Sequence, residues 1–143
     1  MIPEKTCRDL AEFVAGLTYE AIPPEPIEKA KQFVLDIVRL AILGSRLPWG
    51  ERTRQVFRGI GGKEESTVIG FGDRLPAVHA AYVNGTTSHG LENDDTHVGA
   101  IHHPGVTTIP AVLAVAEREE LGGKSLLTGV IAGYEVMTRL GEA

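Results

Sequence analysis

All five histidines of this chain fall between positions 79 and 103: His79, His89, His97, His102 and His103. Glu92, Asp94 and Asp95 share that window. Histidine is the side chain that titrates near neutrality without perturbation, so imidazoles beside carboxylates suit proton transfer. Two adjacent carboxylates repel, which favours a proton on one and leaves the other to orient an imidazole. Any one of these histidines reads as an ordinary helix-face or loop residue. Turns, however, have little use for as many ionisable groups as HGLENDDTHVGAIHHP carries.

Three chemistries fit the window. Asp94 and Asp95 with His97, His102 or His103 offer imidazole and carboxylate ligands for a divalent metal. The spacings match no zinc motif, however, and no helical His-x₃-His pair occurs. The same residues serve acid–base catalysis without a metal. In that reading Thr96 hydrogen-bonds a substrate carboxylate, and Pro104 opens a helix whose free backbone N–H groups favour an anion. In the third reading Asp94, Asp95 and Thr96 are helix caps and turn formers. No Lys or Arg lies between Arg74 and Arg118. A site for a di- or tricarboxylate would therefore take its cations from outside this window.

The elements that must position these groups read as mostly helical. Leu10, Phe13, Val14 and Leu17 set a helical period after Thr6, a candidate N-cap. After the proline-rich connector at 22–26, Ile27, Ala30, Val34, Ile37, Val38, Ala41 and Ile42 form one stripe, with Gly44 as the expected stop and Pro48 beyond it. A short helix is expected over 51–58, closed by the glycines at 59–62. The stretch 66–70 is the only β-like run. Pro76 opens a helix to about Gly90, interrupted by Gly85; residues 91–104 are aperiodic and read as a loop. A helix of small apolar residues then runs to Leu121, kinked by Pro110 or starting near Thr108. Ser125 is the expected cap of the last helix, whose stripe is Leu127, Val130, Ile131, Tyr134, Met137 and Leu140. The expected fold class is all-α, a helical bundle-like domain with at most one minor short strand.

Composition bounds the rest. At 143 residues the chain is long enough for one domain with a real core. The 43% apolar and 23% charged fractions are those of an ordinary globular protein. A net charge of −5 gives no nucleic-acid footprint. Cys7 is the only cysteine, which excludes an intrachain disulfide and a thiolate cluster and fits a reducing compartment. The opening MIPEKTCRDL lacks a secretory signal's apolar core, and the apolar run at 33–43 is broken by Asp36 and Arg39. A membrane-spanning helix needs about 20 apolar residues. The expectation is a cytoplasmic chain with no membrane or nucleic-acid partner.

The ordered series NGTTSHGLENDDTH, HHPGVTTIPAVLAVAEREELGGKSLL and VIAGYEVMTRLG resembles the MmgE/PrpD family. IPPEPIEKAKQFVLDIVRLAILG and STVIGFG…PAVHAAYVNG resemble the same family's opening, so the likeness covers residues from about 8 to 143. The family's activities include 2-methylcitrate dehydration, cis-aconitate decarboxylation and iminodisuccinate epimerisation. The resemblance therefore implies a lyase or isomerase that moves protons beside the carboxylates of a small di- or tricarboxylic acid. It implies no metal and no cofactor, and a homodimer. It also implies that residues 1–143 are the N-terminal portion of an all-helical domain, with the lid domain, the family's lysines and a second active-site histidine lying downstream.

The family's loop reads Asp-x-Asp-Asp-Thr followed by a His-Pro pair. Asp94, Asp95 and Thr96 match directly, and His103 matches the histidine before proline. Glu92 stands where the pattern has its first Asp, and the interval from Thr96 to His103 is one residue longer than in the decarboxylases, which leaves His102 as a register alternative. The resemblance implies a catalytic group in which His103 does the acid–base work and Asp94 and Asp95 orient it, with Thr96, Glu92 and His102 facing substrate. The rival expectation is a non-catalytic truncated paralogue that serves as a helical dimerisation module.

Overall fold

A computed structural model describes residues 4–143. Six α-helices follow one another: α1 (Glu4–Gly16), α2 (Pro24–Gly44), α3 (Pro48–Ile60), α4 (Ala77–His89), α5 (Pro104–Arg118) and α6 (Gly123–Glu142). Between α3 and α4 lies a small antiparallel pair, β1 (Ser66–Thr67) and β2 (Arg74–Leu75), in register Ser66–Leu75 and Thr67–Arg74. The domain is all-α, as the periodicity predicts. The one expected strand has a partner because a strand must pair; β2 is too short to announce itself in sequence.

Helices α2, α5 and α6 meet around one apolar cluster, and α4, α3 and the segment carrying the β pair around a second. Ala30, Ile37, Leu40, Val106, Ile109 and Val130 form the first; Phe33, Leu127, Ile131 and Tyr134 pack against it. Most of the α2 stripe and most of the α6 stripe thus meet where their spacing predicts, but Ile42 and Leu140 are exposed, and Leu40, outside the expected stripe, is fully buried. Val68, Leu75, Ala80 and Val83 form the second cluster, covered by Phe57 and Phe71. Buried Asn84 ties this cluster down. Its Oδ1 accepts from Ile69 N–H and its Nδ2 donates to the Thr67 carbonyl, each at 2.9 Å, so one side chain mimics a neighbouring strand.

Several expected boundaries shift for physical reasons. Thr6 lies inside α1 rather than capping it. Gly44 is the last residue of α2 but not a left-handed stop, since Ser45 after it is also right-handed. Its role is contact: a Cβ there would lie 1.9 Å from the Thr87 carbonyl oxygen of α4. Pro48 lies just beyond the end of α2, as expected, and also begins α3, at a first-turn position that has no N–H to lose. Pro110 sits inside a continuous α5. It leaves the Val106 carbonyl without its intrahelical donor, and Gly85 of α4 faces that carbonyl, 3.0 Å from a built Cβ. Ser125 is within α6, whose cap is Gly122 in extended geometry. No described helix is long and apolar enough to cross a membrane.

Candidate active site

The end of α4, the loop 90–103 and the start of α5 form one frame, closed on its far side by α6. The loop turns through left-handed backbone at Glu92 (φ 48°) and Ile101 (φ 50°). Around the second of these turns His97 and His102 exchange backbone hydrogen bonds, N to O at 2.9 and 3.4 Å. The arch they close leaves Val98 and Ile101 almost fully exposed at its tip.

Within this frame the two adjacent aspartates part company. The Asp94 side chain is completely buried, and it lies between two imidazoles. His89 Nδ1 donates to Asp94 Oδ1 at 3.0 Å, and His103 Nδ1 lies 2.9 Å from Asp94 Oδ2. The rings of His89 and His103 meet edge to face, centroids 4.9 Å apart. Thr96 Oγ1 is 3.4 Å from His103 Nδ1. Because an ionised carboxylate only accepts, the His89 proton sits on Nδ1 and its Nε2 is left as the free base. Oδ2 of Asp94 itself receives no aligned hydrogen bond among the described residues.

Asp95 turns the other way. Its Oδ1 accepts from Gly105 N–H at 3.1 Å and its Oδ2 accepts from the Tyr134 hydroxyl at 3.0 Å. It therefore caps α5 and anchors α6, and does not orient His103, the role the sequence reading gave it jointly with Asp94. The helix N-terminus expected to receive an anion already holds one, the Asp95 carboxylate. Burial pushes the Asp95 carboxyl above the usual aspartate range, outweighing the hydrogen bonds from Tyr134 and Gly105 that act to lower it; the charge of Asp94 raises it further, to a smaller degree. Repulsion between the two carboxylates thus acts in the expected direction but is the lesser cause.

Tyr134 is half-buried and stacks on Phe33 with centroids 5.1 Å apart. Burial first, then the Asp95 charge, hold its hydroxyl well above the ordinary tyrosine range. A phenol whose folded-state pKa is raised contributes stability that is complete below the unfolded value and is lost as pH rises past it. The unfolded tyrosine value is about 10. Tyr134→Phe should therefore flatten the alkaline loss of stability above about pH 10. At neutral pH the same change removes a donor to a buried charge and should cost about 1.5–3 kcal/mol. Chemical denaturation at pH 7 and pH 11 checks both; equal alkaline slopes for the two proteins would contradict this assignment.

His102, the register alternative, is tied elsewhere. Its Nε2 lies 3.2 Å from the Met137 carbonyl, which can only accept, so that nitrogen carries the ring proton. His97 Nδ1 accepts from Ala100 N–H at 3.1 Å, and its Nε2 lies 3.5 Å from Glu142. These two histidines brace the arch against α6. Glu92 is exposed at its left-handed turn, and Thr96 is exposed beside His103. Among the expected site residues, the structure brings together Asp94, His103 and Thr96. The residue that spacing missed is His89. Its signal is position: a histidine in the last turn of α4, immediately before the Gly90 cap, on the rim of the polar loop.

His89 also opens onto a cavity of about 620 Å³ whose walls include Trp49, Val78, Tyr82, Val106 and Thr107. Trp49 lines this cavity while half-exposed. The arrangement can hold a buried negative charge under two imidazoles, which steadies an imidazolium and leaves ring nitrogens available for proton transfer. The same donors, one each from His89, Asp94 and His103, could also take a metal ion.

Residues 8–143 match the MmgE/PrpD N-terminal domain. The chain is 30% identical over 140 residues to cis-aconitate decarboxylase of Aspergillus terreus, covering 94% of this chain and 29% of that protein. It is 29% identical over 145 residues to the mouse cis-aconitate decarboxylase and 30% identical over 145 residues to the human one, covering 98% of this chain and 30% of each relative. The chain thus spans about 30% of the length of the curated relatives it matches. On the match over 8–143, with the Asp-Asp-Thr loop and the His-Pro pair at one site, this chain belongs to the MmgE/PrpD family.

Proposed function

We propose that this chain carries the acid–base part of a lyase or isomerase acting beside the carboxylates of a small di- or tricarboxylic acid. The observation that carries the reading is the fully buried Asp94 carboxylate placed 2.9 Å from His103 Nδ1. A charge held there stabilises His103 as it takes a proton, and the opposite ring nitrogen exchanges that proton with substrate. Thr96, exposed 3.4 Å from the same ring, offers a hydroxyl to a substrate carboxylate. Glu92 stands at the loop rim and contributes to substrate choice. His102 acts through the arch and not through substrate. The chemistry needs no metal, since proton transfer beside a carboxylate is within the range of an imidazole and its carboxylate partner.

Cations complete the site. The window from 75 to 117 contains no Lys or Arg, so those that pair with substrate carboxylates come from outside it. The active species is a homodimer, as the family resemblance implies. The test is turnover by the active protein of a panel containing cis-aconitate, 2-methylcitrate and saturated monocarboxylic acids. The expected result is conversion confined to the polycarboxylic acids. Conversion of none, or of monocarboxylic acids equally, would overturn the reading.

A further inference from the structure

We propose that His89, Asp94 and His103 form a binding site for a zinc-class divalent cation, and that a metal held there blocks acid–base work instead of performing it. The site itself stands on geometry; only the blocking rests on the proposed function. Three observations carry it. One donor atom from each of the three side chains lies within 4.8 Å of the other two, the span of a metal's ligand shell. The Asp94 side chain is wholly buried, so its charge is unscreened by solvent and already directed at both rings. Its Oδ2 receives no aligned hydrogen bond among the described residues, although His103 Nδ1 lies 2.9 Å away. A buried acceptor left in that condition is a place where a cation gains more than it displaces.

Imidazole nitrogen and carboxylate oxygen suit zinc, and the fourth position of such a site is open to water. The two rings are half-exposed and give an ion its entry path. Binding requires each neutral ring to carry its proton on Nε2, which frees Nδ1 as the ligand. The metal then holds the His103 nitrogen that otherwise faces Asp94, and the carboxylate's charge goes to the metal. His103 loses the partner that steadies its protonated form, so turnover falls while the metal is bound.

The test is a titration of the whole chain with Co²⁺, followed by displacement with Zn²⁺, in a Cys7→Ser background that removes the exposed thiol. Co²⁺ reports coordination through its visible absorption. We expect one metal per chain and low-coordinate Co²⁺ absorption. His89→Ala should weaken binding about 100-fold or more. His97→Ala removes an imidazole of the nearby arch and should leave binding unchanged. Far-UV circular dichroism of each variant establishes that the helices persist, and a variant that unfolds is replaced by His89→Phe, which keeps a ring and removes the ligand. Absence of binding up to millimolar metal would overturn the site, as would binding that survives loss of His89 in a folded chain. Neither result touches the assignment of His103 to proton transfer, which is read from turnover without added metal.

Discussion

Gly44→Ala should destabilise the domain by about 3 kcal/mol, at the upper end of what overpacking costs. The added Cβ would lie 1.9 Å from the Thr87 carbonyl oxygen and 2.7 Å from its carbon, both backbone atoms of α4. No rotamer change relieves such a contact, so α2 and α4 must separate. Gly50 of α3 meets the same point: its built Cβ lies 2.4 Å from the Gly44 carbonyl oxygen and 3.1 Å from Thr87 Cγ2. Three helices therefore converge on two glycines and one threonine. Separating them loosens the fully buried Ile37 and Leu40 of α2 and Val83 of α4. Domains of this size have only about 5–15 kcal/mol to lose. A melting temperature lowered by on the order of 10 °C is expected, and α4 carries His89 at its end, so the site loosens with it. Thermal melts of the wild-type and Gly44→Ala chains check this; coincident melts would mean that the three helices do not rely on close approach.

Asp94→Asn should lower turnover by a factor of about 10²–10⁴ while leaving the fold in place. The substitution keeps the shape of a side chain that has no exposed surface. It removes the negative charge that lies between His89 and His103. An amide cannot steady an imidazolium as a carboxylate does, and its NH₂ end forces at least one ring to present a lone pair inward. Asp95→Asn makes a useful contrast. Its bonds run to Gly105 and Tyr134, so its loss should appear mainly in stability, with a smaller effect on turnover. A kinetic comparison of the two variants at saturating substrate separates the roles. Equal losses in kcat would contradict the division of labour between the two carboxylates.

That division marks the limit of what spacing can tell. Asp94 and Asp95 are the same residue type at neighbouring positions, and the pattern offers no reason to prefer one. The choice is made by the left-handed turn at Glu92 and by Tyr134, thirty-nine positions beyond Asp95, whose hydroxyl captures it. His89 is not singled out from the other histidines by spacing for a related reason: its partner Asp94 is reached only after the chain folds back beyond Gly90. The α2 and α6 stripes are largely legible because each follows from a short-range period, and Ile37 and Val130 lie in the core as that period requires; the α1 stripe is not packed in this way, since Phe13 and Val14 are exposed. Gly44 reads as a terminator on local grounds and does end α2, but it answers also to long-range contact, as do Gly50 and Gly105, for which the local pattern offers no reading; a Cβ on Gly105 would lie 2.1 Å from Asp95 Oδ1. The β2 strand and the uninterrupted path of α5 through Pro110 likewise depend on neighbours distant in sequence.

The claim that His103 performs proton transfer over a buried Asp94 is tested most directly by His103→Ala in the active protein. Turnover of the substrate found in the polycarboxylate panel would be measured at saturation, without added metal. The account predicts a fall in kcat of about 10²–10⁴ with the helical content unchanged. A variant that turns over within a few-fold of wild type would show that the acid–base group lies elsewhere.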